Sequence, residues 1–76
     1  MRETLLEAAL AKFRSDAMTA RANLEVYLTA PVGVGEHSDL VDEVTKQTAI
    51  LTEAEENVRT LENLLEDITV SGRLND

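Results

Sequence analysis

The chain has no cysteine and no tryptophan, only one histidine and one proline, and just three glycines in 76 residues. Each scarcity excludes something. Without thiols there are no disulfides, and a single histidine with no thiolate leaves a structural zinc site without its usual ligands. The only aromatic side chains are Phe13 and Tyr27, so a core here has to be aliphatic, and strand-forming stretches are missing. No apolar run approaches the roughly 18 to 20 residues needed to cross a bilayer, and Met1-Arg2-Glu3 opens into an amphipathic pattern instead of a secretory signal. A soluble, cytoplasmic protein with no membrane contact is expected.

What is abundant is Leu, Ala, Glu and Thr arranged at helical spacing. Leu6, Leu10, Phe13, Ala17, Ala20, Leu24 and Tyr27 alternate steps of four and three, an unbroken heptad seam that predicts a helix over about residues 3–28. Leu40, Val44, Gln47, Leu51, Ala54, Val58, Leu61, Leu65 and Ile68 repeat the pattern and predict a second helix over about 39–70, with Gln47 the one polar seam residue. Ile50 and Leu64 widen this second stripe to the breadth of a bundle helix. On helix 1 a further stripe, Ala8, Ala11, Ser15, Met18, Ala22 and Val26, has two readings: alanine favours helix wherever it stands, or the helix is sandwiched between two partners.

Between the helices the pattern breaks at residues 29–38. The ring of Pro31 pushes Ala30 out of helical geometry, and Gly33 and Gly35 add backbone freedom. Ser38 or Asp39 offers an N-cap for helix 2, with the carboxylates of Asp39 and Asp42 near its positive end. At the far end Ser71-Gly72 is expected to stop helix 2, leaving residues 71–76 as a tail. Glu36 and His37 lie between the second glycine and the cap. They serve either to fix the helix ends by hydrogen bonds or to recognise a partner.

Two long helices joined by about ten residues predict one all-α domain, a two-helix antiparallel coiled-coil hairpin. One register matches the two seams with residue numbers that sum to 71, pairing Tyr27 with Val44, Leu24 with Gln47, Ala20 with Leu51, Phe13 with Val58 and Leu10 with Leu61. A shorter register, summing to 64, leaves the end of helix 2 without a partner. In the longer one Arg14 and Arg21 flank the seam on the side of Glu55 and Glu62. Phe13→Ala is expected to be the costliest core change, at about 3–5 kcal/mol for a buried ring. A chain this short buries little surface alone, and with disulfides and metal excluded, assembly into a dimeric four-helix bundle is the expected support.

Charge is distributed unevenly. The formal net charge is −8; residues 1–28 balance four acids with four bases, whereas residues 39–70 carry nine acids against Lys46 and Arg59. Such a surface repels phosphate backbones, so direct binding of nucleic acid is disfavoured. The acidic face is either solubilising or a docking face for a basic protein surface. Catalytic constellations are not evident: Ser15, Ser38 and Ser71 have no histidine in plausible seam geometry. Glu36, His37 and Asp39 match no established metal spacing. Gly33-Val34-Gly35 lacks the strand, third glycine and lysine of a phosphate loop. No enzyme activity, cofactor or metal is expected.

The run Asn23-Leu24-Glu25-Val26-Tyr27-Leu28, followed by Pro31-Val32-Gly33-Val34-Gly35-Glu36-His37-Ser38-Asp39 and a helix beginning Leu40-Val41-Asp42-Glu43, resembles a family of small, acidic, largely uncharacterised proteins of tailed bacteriophages, including those of marine cyanobacteria. The likeness covers roughly residues 23–65 and implies a phage origin and a host-cell cytoplasmic setting. It carries no activity onto any residue. The functional expectation is a non-enzymatic interaction and oligomerisation module, with itself and a host protein as partners. The alternative is an acidic decoy or inhibitor that occupies a basic, nucleic-acid-binding surface of a host protein. The candidate partner-binding residues are Glu36, His37, Met18, Ile50 and Leu64.

Overall fold

The computed structural model describes the backbone of residues 2–29 and 37–75, and side-chain surroundings within 2–29 and 39–70. Two helices account for all of it: α1, Arg2–Thr29, and α2, His37–Asn75. They pack against one another, and no strand occurs among the described residues. The molecule is a rod of 63 × 16 × 14 Å, its length close to the roughly 58 Å that 39 helical residues span. Its radius of gyration, 17.6 Å, is well above the roughly 11 Å expected of a compact chain of this length. A coiled-coil hairpin meets this description, because it has one seam and no second layer.

Polar pairs across the seam fix the register. Arg14 Nη2 donates to Glu62 Oε2 at 2.7 Å, Arg21 Nη2 donates to Glu55 Oε2, and Asn23 Nδ2 donates to Gln47 Oε1 at 3.3 Å. The shorter register would slide every partner by one heptad, setting Arg14 against Glu55 and Arg21 against Thr48. The observed pairs therefore select the register that sums to 71.

Differences from the sequence reading fall at the ends of α2. The helix begins at His37, so Ser38 and Asp39 stand inside its first turn and neither is the N-cap; Asp39 still faces the positive end of the helix dipole. At the other end α2 continues to Asn75, past the expected stop at Ser71-Gly72. Glycine permits a helix to end but does not compel it, since its cost within a helix is about 1 kcal/mol relative to alanine. No proline follows to block propagation. In this register Arg2 lies level with Thr69, so residues 71–75 extend beyond the start of α1. The loop at 30–36, with Pro31, Gly33, Gly35 and Glu36, lies outside the described residues.

Burial is shallow. Leu10, Ala20 and Ala54 are the buried hydrophobic side chains, while Leu6, Phe13, Leu24, Leu51, Val58 and Leu61 are half-buried. Ala20 and Ala54 vanish into the seam because small side chains let the helix backbones approach. Phe13 does not hold the position expected of it: its ring is half-covered, and Leu10 is the large side chain that the hairpin encloses. Leu10→Ala should accordingly lower unfolding stability by about 2–5 kcal/mol in denaturant titrations, and by more than Phe13→Ala does in the monomeric hairpin. Cysteines at Leu10 and Leu61 should crosslink on oxidation, whereas cysteines at Leu10 and Ala54 should not; the reverse pattern would select the shorter register.

Candidate functional site

Among the described residues the surface beside the seam lies on two flanks, and the heptad phase determines what each flank carries. On one flank, the residues just after the seam positions include Arg14, Arg21, Glu55 and Glu62. Both ion pairs lie here, with every member more than a third exposed, so each contributes only about 0.2–1 kcal/mol. The arginines also border a groove of about 450 Å³. Ala17, Met18 and Val58 also line it, with Glu55 and Arg59 on the α2 side. Met18 is 73% exposed, high for an unbranched apolar side chain set among guanidinium groups.

The opposite flank is less charged. Asn23 reaches Gln47 there and satisfies the one polar seam residue, and the Tyr27 hydroxyl lies 3.5 Å from Glu43 Oε2, the outer limit of a hydrogen bond. A smaller hollow of about 100 Å³ is lined by Phe13, Asp16, Ile50 and Glu53, with Ala54 and Asn57 beneath. Ile50 is 41% exposed and Leu64, two heptad steps along the same line, is 44% exposed. Both are exposed apolar side chains at the edge of the seam.

Of the five candidate residues, Ile50 and Leu64 are thus brought onto one flank, and Met18 is placed on the other. These apolar residues are divided between two surfaces, because the seam itself lies between them. His37 is the first residue of α2, and Glu36 lies outside the described residues. Sequence reading missed Asn23, although a polar residue next to Leu24 in a register pairing Leu24 with Gln47 was a signal for it. It also missed that Met18 and Arg59 line one groove.

Among the described residues no cluster of three or more His, Asp or Glu side chains is arranged to hold a metal, and no helix is long and apolar enough to cross a membrane. Compared with known proteins, the chain matches no family, no curated sequence and no solved structure. A double-mutant cycle on Arg14→Ala and Glu62→Ala should give a coupling of about 0.2–1 kcal/mol that shrinks as salt is raised. A salt-independent coupling above that range would contradict the exposed geometry.

Proposed function

We propose that the protein is a non-enzymatic helical module that self-associates, two hairpins forming a four-helix bundle through the flank of Phe13, Ile50 and Leu64. The supporting observation is surface area. The chain exposes 5876 Å², against about 4,600 Å² for a compact globular chain of its mass. The surplus, about 1,300 Å², exceeds the roughly 800 Å² per partner that a stable interface buries. A two-fold axis parallel to the long axis of the rod would bring this flank of one copy against the same flank of the other. In the register summing to 71, Leu64 lies level with a point between Leu5 and Ala9, and Ile50 with a point between Thr19 and Asn23. Each copy's α2 leucine and isoleucine would thereby meet the other copy's α1.

The host-cell and phage setting belongs to this proposal, resting on the resemblance of the loop sequence. So does a host protein as a further partner. The decoy alternative cannot draw on Glu55 and Glu62, which are engaged by arginines of the same chain, and has to rest on Asp39, Asp42, Glu53, Glu56 and Asp67, which recur at helical spacing along the outward face of α2.

Sedimentation equilibrium at tens of micromolar should give twice the 8.4 kDa chain mass. Ile50→Glu combined with Leu64→Glu should give the monomer mass while far-ultraviolet circular dichroism stays helical. A wild-type monomer at that concentration would sink the proposal.

A further inference from the structure

We infer that Leu5 and Arg2 form the α1 half of the self-association surface and receive Leu64 and Asp67 of the second copy, the two hairpins lying side by side with their loops at the same end. This rests on the self-association proposed above and names the residues that determine its orientation. Heptad phase identifies the α1 side of the flank. Arg2, Asp16 and Asn23 recur at steps of seven, and Asp16 lines the hollow shared with Phe13 and Ile50. Leu5 and Lys12 stand three or four residues from members of that line, so they neighbour it on the helix surface, one step further from the seam. Leu5 is 65% exposed, more than Ile50 or Leu64, and its own chain leaves it open to a neighbour.

Axial position matches these residues across the two-fold axis. In the register summing to 71, Leu64 lies level with residue 7 of α1 and Asp67 with residue 4. Leu5 and Arg2 are each two residues from those levels, or about 3 Å along the helix. An axis parallel to the rod keeps every residue at its own level, so the second copy's Leu64 arrives beside Leu5 and its Asp67 beside Arg2. Charge favours this orientation over the reverse. Along the interface edge of α2, Asp39, Glu43, Glu53 and Asp67 outnumber Lys46, whereas along that of α1, Arg2 and Lys12 outnumber Asp16. Hairpins placed head to tail would set α2 on α2 and α1 on α1, each edge facing its own sign. With the loops together, the acidic edge meets the basic one twice in every dimer. The like-charged meeting that remains, Asp16 with the second copy's Glu53, has Lys12 one turn away on the helix of Asp16.

The chain contains no cysteine, so single introduced cysteines report contacts between copies directly. Oxidation of an equimolar mixture of Leu5→Cys and Leu64→Cys chains should give a disulfide-linked heterodimer, and a mixture of Ile50→Cys and Leu64→Cys chains should not. In sedimentation, Arg2→Glu and Asp67→Lys should each weaken the dimer about tenfold, because each dimer holds the pair twice and both attractions become repulsions. A chain carrying both substitutions should return to within about threefold of wild type, since the swap restores opposite charges at both places. A glutamate in the first turn of α1 suits the helix dipole, so the Arg2→Glu hairpin keeps its fold. Crosslinking through Ile50 and Leu64 instead of Leu5 and Leu64, or no recovery in the double swap, would overturn the inference while the dimer mass still upheld self-association. A wild-type chain that sediments as a monomer would overturn both, so the two failures are distinguishable.

Discussion

Close approach of two helices along one aliphatic seam is the constraint on which the rest of the structure depends. Ala20 and Ala54 are small enough to let the backbones come together, and Leu10 fills the space that this approach encloses. Among the described residues no second layer of structure covers the outer faces. The apolar surface removed from water is therefore small, and at about 25 cal/mol per Å² burial of this extent leaves little margin over the entropy of ordering a long chain. The rod shape and the half-covered flanks both follow from this one-dimensional packing.

Polar residues act here chiefly on register. A leucine seam alone tolerates sliding by a heptad, since apolar residues replace apolar residues. In the observed register Gln47 meets Asn23 and both arginines meet glutamates, whereas a slide by one heptad would leave Arg21 facing Thr48 and lose one of the two ion pairs. Their individual contributions are small. Their combined effect is to disfavour one specific alternative, as single polar seam residues do in other coiled coils.

Much of the architecture was legible in the sequence, because a heptad repeat reports both the helix and the face that it buries. The seam residues, the antiparallel pairing and the side on which Arg14 and Arg21 meet Glu55 and Glu62 all follow from spacing. The end of α2 was not legible: Gly72 is a permissive signal, and whether a helix continues through it depends on small energies that no single residue decides. Nor was the partial exposure of Phe13, since the heptad position says that a ring points at the seam and not how much of it the partner helix covers. The candidate surfaces were only half legible. Met18, Ile50 and Leu64 stand out individually as apolar residues beyond the seam, but their division between two flanks depends on how the helices are rotated against one another. Reading α1 and α2 separately merges them.

Both flanks of the hairpin carry exposed apolar side chains, and the account stands on the one that holds Ile50 and Leu64. Thermal unfolding of the wild-type chain across a hundredfold range of concentration tests it most directly. If the folded hairpin is stabilised by a second copy, the midpoint rises steadily with protein concentration, because mass action favours the associated state. A midpoint that does not move over that range would show that the hairpin folds alone and would contradict the account.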